Sequence, residues 1–359
     1  MYYFEVLLNK VHFMRAPEKD ILANVNEVAA QLRDLLEKSV MKNLTKDMLF
    51  SGGIDTSILA TIVSKKVRIR GFTCAFKEAN ALDIKYAKLM AKRLNIEHYM
   101  NPFGEEEVYE AIPDVVKVLD SFDPMEVRNS ITINIGLRFA KSYGSTELIT
   151  GDGADELFAG YHMYYRHVGN KEKLSAMLKK MWGIMGFSAG ALGENLGIEV
   201  KQPYLDPEVQ KFAMTMDPRY NVQEERGEVW GKWILRKTYE DILPPEIRWR
   251  DKNPIEVGSG TTILPKYLAN KISDSEFAAK KKKILKTDNV TIRDKEQLVY
   301  YEAYREVVGV PHAKDSDART CPQCNSNVAE NAVVCKTCGA YPITASGRSV
   351  TNENAYSDS

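Results

Sequence analysis

Two short polar loops carry most of the groups in this chain with the means to do chemistry. The first reads Leu49-Phe50-Ser51-Gly52-Gly53-Ile54-Asp55-Thr56-Ser57 and lies between an apolar strand and an apolar-periodic helix. Its paired glycines let backbone N–H groups fold into a concave nest, and Ser51, Thr56 and Ser57 add hydroxyl donors at a positive helix end, which suits a phosphate. Asp55 would repel a bare phosphate, so its presence argues for a bridging magnesium ion. An ordinary strand-to-helix turn with an Asp, Ser or Thr cap is the plainer reading of the same residues. The second loop, Gly151-Asp152-Gly153-Ala154-Asp155-Glu156, follows the apolar run Glu147 to Thr150. Gly151 and Gly153 permit close backbone approach to a ligand, and Asp155 would be a second magnesium ligand converging with Asp55 from a neighbouring strand. An Asx-type turn also explains the string. An EF-hand loop does not, because Met163 stands where that loop needs its last acidic residue.

The cysteines point to a second metal. Four of the five fall in one segment, Cys321-Pro322-Gln323-Cys324 and Cys335-Lys336-Thr337-Cys338-Gly339. Two Cys-x-x-Cys knuckles at this spacing close a tetrahedral, structural zinc site with no open position. Two disulfides are the other pairing, and they require an oxidising compartment that nothing else in the chain supports. Cys74 stands alone and is expected in a buried strand.

These groups need a scaffold, and hydrophobic periodicity supplies one. A helical pattern runs from Ile21 to Met41, followed by strand Met48 to Phe50, the glycine loop, and a helix through Ile58, Leu59, Ile62 and Val63. Arg70 to Phe76 reads as a strand, Ala81 to Leu94 as a helix, and His98 to Met100 as a short strand. Helical patterns recur at Glu105 to Leu119 and Ser130 to Ser142 before the strand at Glu147 to Thr150. The alternation predicts an α/β fold, a parallel sheet covered by helices with ligands at the strands' carboxyl ends, where both loops sit. The stretch Lys171 to Met216 reads as helical and is expected to complete the substrate pocket.

Composition narrows the class further. In 359 residues, 44% hydrophobic, the 49 basic and 49 acidic side chains cancel, so no global field favours nucleic acid or an anionic membrane. No apolar run approaches the roughly 20 residues that span a bilayer, and Met1-Tyr2-Tyr3-Phe4-Glu5 lacks a signal peptide's basic start. The expected location is the cytoplasm, with no membrane partner and a homodimer as one assembly.

No Gly-x4-Gly-Lys-Ser/Thr run exists for transfer of a terminal phosphoryl group; Gly227 to Trp233 is one residue short and has Trp in place of the hydroxyl. The loop at Ser51 instead resembles the PP-loop of the N-type ATP pyrophosphatases, which cleave ATP between the α and β phosphates. The two loops are followed in order by Gly197-Ile198-Glu199-Val200-Lys201-Gln202-Pro203-Tyr204-Leu205-Asp206, by Lys232-Trp233-Ile234-Leu235-Arg236, by Leu243 to Lys252, and by Gly258-Ser259-Gly260. Together, from about Glu27 to about Val308, they resemble the synthetase domain of glutamine-hydrolysing asparagine synthetases and their relative β-lactam synthetase.

The resemblance implies an AMP-forming carbon–nitrogen ligase. A carboxylate, aspartate by preference, attacks the α-phosphorus of ATP to give an acyl-adenylate and pyrophosphate, and an amine displaces AMP. It implies a PP-loop (adenine nucleotide alpha hydrolase-like) core with a helical C-terminal region. Phe50, Ser51, Gly52, Gly53, Asp55, Thr56, Ser57, Thr150, Gly151 and Asp155 would hold the nucleotide, with magnesium on Asp55 and Asp155. Lys252 would stabilise charge at the α-phosphorus, Lys232 would be a second cation, and Asp152 and Glu156 stand beside them as catalytic candidates. Asp83 matches a family acidic position, though helix capping alone explains an Asp there.

Three departures qualify the likeness. A glutaminase half is not expected, because no Cys follows Met1 and the motifs begin early, so ammonia would come free or from a separate amidotransferase. Asp152 stands where asparagine synthetases usually carry Glu, and Lys201 where they show Arg, which loses a bidentate grip on a carboxylate. The third is the zinc ribbon at Cys321, Cys324, Cys335 and Cys338, which would dock a partner, bind RNA or merely cap the domain. PP-loop enzymes that modify tRNA often carry such knuckles, so tRNA modification is the alternative, with the basic runs Lys179-Lys180 and Lys280 to Lys283 as phosphate contacts. The expected division is an N-terminal segment and helix (1–43), the nucleotide-binding core (44–170), a mostly helical region (171–310), a linker (311–320), the zinc ribbon (321–341) and a disordered tail (342–359).

Overall fold

The computed structural model describes residues 24–79 and 81–343; the expected helix start at Ile21 and the tail from 344 lie outside the described residues. The described chain forms two compact units. The first holds residues 24–75, 81–101 and 136–254, and the second holds 76–79, 102–135 and 255–343.

The first unit is built on a five-stranded sheet. Its strands are β1 (Asp47–Leu49), β2 (Arg70–Phe76), β3 (Glu97–Phe103), β4 (Glu147–Ile149) and β5 (Glu199–Lys201), in the spatial order β3-β2-β1-β4-β5. β1 pairs in parallel with β2 and β4, and β4 in parallel with β5, with Met48 opposite Ile149. Parallel strands are covered on both faces, which is why short apolar runs suffice: Met48, Phe72, Leu148 and Ile149 are at most 1% exposed. The chain steps outward from β1 on one side and returns to β4 on the other. The loops after β1 and β4 therefore leave adjacent strands at the point where strand order reverses, where such sheets leave a crevice.

The helix Val25–Lys42 buries Leu32, Leu36 and Val40 as one stripe at four-residue spacing. The helix Ile54–Val63 is instead buried nearly all round, from Ile54 to Val63 except Asp55. The stretch expected to be helical from Lys171 to Met216 contains the helices Lys171–Trp182, Ser188–Leu196 and Pro207–Thr215, but it also supplies β5. That correction has a simple cause: Glu-Val-Lys carries one apolar residue and no readable period, and it is a strand because β4 pairs with it. A two-stranded hairpin, β6 (Gln223–Glu225) and β7 (Glu228–Trp230), also went unread; it turns on Arg226 and Gly227, both at positive φ (61° and 81°). Gly227 is thus a turn residue, which accounts for the imperfect imitation of a phosphate loop.

In the second unit, Lys295–Val307 buries Leu298, Tyr300, Tyr301 and Tyr304, and the Phe122 ring packs 5.1 Å from both Tyr301 and Tyr304. Tyr301 donates to Asp288 at 2.7 Å and Tyr304 to Asp120 at 2.7 Å, so the polar ends of the aromatic layer are satisfied. The cysteine-bearing segment is seated on this layer. Ser121 Oγ donates to Lys336 O (2.7 Å), Phe122 N to Thr337 O (2.7 Å), Arg293 to Cys338 O and Gly339 O (2.8 and 2.7 Å), and Gln297 Nε2 to Cys338 O (2.9 Å). The first knuckle is tied through Thr291 N to Gln323 O at 2.8 Å and Asn325 Nδ2 to Asn289 O at 2.8 Å. Among the described residues no helix is long and apolar enough to cross a membrane.

Candidate functional site

Gly52 lies at φ +66°, and a Cβ there would stand 2.2 Å from Ala87 N and 2.3 Å from Tyr86 C, so only glycine lets the helix Leu82–Leu94 seat against the first loop. Ser51 Oγ accepts from Gly53 N at 3.2 Å and shares a hydrogen bond with Thr56 Oγ1 at 3.2 Å. The second loop lies directly over the first: a Cβ on Gly151 would be 3.2 Å from Thr56 Cγ2 and 3.4 Å from Asp55 Cβ. The expected neighbours are thus brought together, though not all in the same way. Phe50 is core, 2% exposed, and its carbonyl accepts from Thr73 Oγ1; Ser57 Oγ is buried with no hydrogen bond. Those two side chains support the loop from beneath.

Asp55 and Asp155 converge on one cation, and the cation is Lys232. Its Nζ lies 2.6 Å from Asp55 Oδ2 and 2.7 Å from Asp155 Oδ1, while Lys252 Nζ is 3.0 Å from Asp155 Oδ2. Lys232 is 3% exposed and sits at φ +52°, the left-handed region that a side-chain-bearing residue occupies only when its surroundings hold it there. Its N–H donates to Phe158 O at 3.0 Å. Burial works against charge on all three groups. For Asp155 two ammonium groups outweigh that penalty and hold the carboxyl at about 2; for Asp55 burial prevails, aided by the Asp155 charge, and its pKa is raised. Lys232 is raised in turn, its two carboxylates overcoming desolvation.

The remaining acidic candidates flank this cluster. Asp152 Oδ2 accepts from Thr150 Oγ1 (2.7 Å) and Gln202 Nε2 (2.9 Å), and burial raises its pKa against those bonds. Glu156 takes a hydrogen bond from Tyr161 O–H, and burial followed by the Asp155 charge raises its pKa. Asp83 does not cap its helix; it pairs with Arg250 Nη2 at 2.6 Å, and the Arg250 guanidinium lies 4.1 Å over the Tyr86 ring. Lys201 lies apart, its ammonium taken by Glu199 on its own strand.

Gly160, absent from the sequence-derived site, is built into it. A Cβ there would lie 1.9 Å from Asp155 Oδ1 and 2.4 Å from Lys232 Cε. Gln202, Tyr161 and Arg250 were missed as well. A glycine in Phe158-Ala159-Gly160-Tyr161 looks like any turn residue, and only the folded neighbourhood shows what it leaves room for.

A divalent oxygen-loving cation fits the donor set. Asp55 Oδ1 is buried and takes no hydrogen bond, so it has lone pairs to offer beside a second carboxylate at hydrogen-bonding reach of the same ammonium. In the second unit Cys321, Cys324, Cys335 and Cys338 are fully buried, with all four sulfurs within 4.8 Å of one another. The Cys321–Cys338 and Cys324–Cys335 separations are both 3.7 Å. That excludes disulfides here, whose sulfurs are about 2.05 Å apart, and matches the edge of about 3.8 Å of a tetrahedron with metal–sulfur bonds of about 2.3 Å.

The model of the asparagine synthase family matches residues 31–195 and 191–325 of this chain. The chain belongs to the asparagine synthase family. It is 27% identical over 320 residues to the probable glutamine-hydrolysing asparagine synthetase of Dictyostelium discoideum, covering 80% of this chain and 57% of that protein. It is 25% identical over 316 residues to asparagine synthetase B of Escherichia coli K12, covering 83% and 56%. The chain thus spans about half the length of the curated relatives it matches. Among solved structures, the NH3-dependent NAD synthetase of Campylobacter jejuni aligns over 73% of this chain and 94% of its own, at 14% identity and a TM-score of 0.34. Four of the site candidates read from the sequence, Asp55, Asp155, Lys232 and Lys252, make up a single contact cluster of the first unit.

Proposed function

We propose that this asparagine synthase family chain is an ATP-dependent, AMP-forming amide ligase that adenylates aspartate and transfers the acyl group to ammonia. The observation that carries the reading is the meeting of Asp55 and Asp155, from loops on adjacent strands, around one buried ammonium with a second ammonium alongside. A carboxylate oxygen bonds to the α-phosphorus as the bond to the bridging oxygen breaks and pyrophosphate leaves. Ammonia then bonds to the acyl carbon, the carbon–oxygen bond to AMP breaks, and the nitrogen gives up a proton.

Magnesium held by Asp55 and Asp155 would neutralise the departing pyrophosphate. Gly52, Gly53 and Ser51 present the donor nest at the start of Ile54–Val63 that holds phosphate oxygens. Lys252, 18% exposed on its own loop, would stabilise charge at the reacting phosphorus, and Lys232 fixes the spacing of the two carboxylates. Asp152, clamped by Thr150 and Gln202, is the side chain through which the acceptor amino acid or ammonia is held; it is shorter by one methylene than the Glu usual in asparagine synthetases. The cysteine cluster takes zinc, as a structural site.

The reading is tested by ATP–pyrophosphate exchange and product analysis across a panel of amino acids, with and without ammonium, glutamine or tRNA. Aspartate with ammonium is expected to give asparagine, AMP and pyrophosphate in equal amounts, with glutamine alone inactive. Release of ADP, or turnover only with tRNA, would overturn it. The tRNA-thiolating alternative also needs a reactive thiol, and burial pushes Cys74, the one cysteine outside the cluster, up to about 12. Gly160→Ala is expected to lower exchange by about 100-fold, since an added methyl displaces Asp155 or Lys232 by on the order of 1 Å. Equal exchange in this variant would show that the Asp155 and Lys232 positions tolerate that shift.

A further inference from the structure

Arg236 is the largest fully buried side chain among the described residues, 2% exposed. Its Nε, Nη1 and Nη2 donate to backbone carbonyls of two separate segments. Nε donates to Gly231 O at 2.9 Å, immediately before Lys232; Nη1 donates to Arg248 O, and Nη1 and Nη2 reach Arg250 O at 3.3 and 3.4 Å, two residues before Lys252. The backbone N–H of Arg236 also donates to Lys232 O at 3.1 Å, so Lys232 is bracketed from both sides. The guanidinium is stacked 4.7 Å from the Trp230 ring, which restricts it to one plane.

We infer that Arg236 is the positioning residue for the two-lysine arrangement: it ties the backbone turn that carries Lys232 to the irregular segment that carries Lys252. Residues 250–254 have no helix or strand of their own, so their carbonyls would otherwise be free to move. With Arg250 O anchored, Lys252 Cα stays within about 7 Å of a fixed point, since two residues span no more than that. The Asp83–Arg250 ion pair fixes the same segment against the helix Leu82–Leu94, and Arg236 fixes it against Lys232. A lysine at 236 keeps charge and stem, but one ammonium cannot reach three carbonyls in the plane that a guanidinium fork spans.

The inference rests on the proposed ligase activity for one of its two readouts. In pyrophosphate exchange, Arg236→Lys is expected to lower kcat by about 10- to 100-fold, with KM for ATP changed by less than about threefold. In a Lys252→Ala background the same substitution should change kcat by less than about threefold, because positioning an absent ammonium has no further effect. An equal factor in both backgrounds, or full kcat in Arg236→Lys, overturns the inference. The second readout needs no activity: amide hydrogen exchange of residues 248–254 in Arg236→Lys should rise by at least about tenfold while the sheet strands stay protected. Unchanged exchange there, or a rise spread through the whole chain, also overturns it. A wild-type protein inactive in the assay, with the local rise still present in Arg236→Lys, would sink the ligase reading alone.

Discussion

Replacing Lys232 by methionine is expected to lower pyrophosphate exchange by at least about 1000-fold and to destabilise the fold by about 3–5 kcal/mol at neutral pH. Both effects come from one position. Lys232 Nζ stands at 2.6 and 2.7 Å from two carboxylates and is nearly inaccessible to water. Methionine fills a similar volume but leaves Asp55 and Asp155 facing each other, with only Lys252 remaining on Asp155. Breaking a buried pair from one side costs more than the pair itself contributes, because the surviving charges have lost both water and partner. Added MgCl2 should therefore raise the melting temperature of the variant more than that of the wild type, since a divalent ion takes the place of the lost ammonium. Thermal melts with and without magnesium, beside exchange assays, measure both parts. Exchange within tenfold of wild type would remove Lys232 from the machinery. Equal magnesium stabilisation of both proteins would mean that the ion does not take the place of the lost ammonium.

Stripping the metal from the cysteine cluster should have the second largest effect, a loss of at least about 3 kcal/mol in the second unit, or a fall in its melting temperature of roughly 6–12 °C. A segment of this length has no core of its own, so with zinc bound as proposed its fold would depend on the ion. Carbonyls 336 to 339 are also the acceptors for Ser121, Phe122, Arg293 and Gln297. When the knuckle opens, those donors lose their partners, and Gln297 is fully buried. Calorimetry of the intact chain before and after chelation, with metal content measured on the same samples, tests this, as does Cys338→Ser. An unchanged melting profile in a sample proven metal-free would make the segment an appendage that braces nothing.

Much of the site was legible before folding was considered. Asp55 and Asp155 stand in glycine-bearing loops after apolar runs, and the alternation of strand and helix periods places such loops at the carboxyl edge of a parallel sheet. The strand Arg70–Phe76 and the helix Glu105–Leu119 have the bounds their patterns predict. β5 was not legible, since three residues with one valine carry no period. Neither was the reason for Gly160, whose missing Cβ matters only because Asp155 and Lys232 are packed against it. Asp83 matches a family acidic position that capping alone would also explain, and its partner Arg250 lies 167 positions away.

What the amino-acid sequence determined by itself was local: two loops able to hold phosphate and a hard cation, two knuckles able to hold a soft one, and the strand and helix lengths around them. These follow from bonded geometry, side-chain donors and short periodicities, which neighbours in sequence are enough to set. Tertiary structure alone decided that Lys232 stands between the two aspartates, that Arg236 joins the segments of both lysines, and that the cysteine knuckles are tied to Ser121, Arg293 and Gln297. Each depends on burial and on partners distant in the chain. Taking a charge or a carbonyl out of water is tolerable only where a distant partner meets it, and no local pattern encodes that meeting.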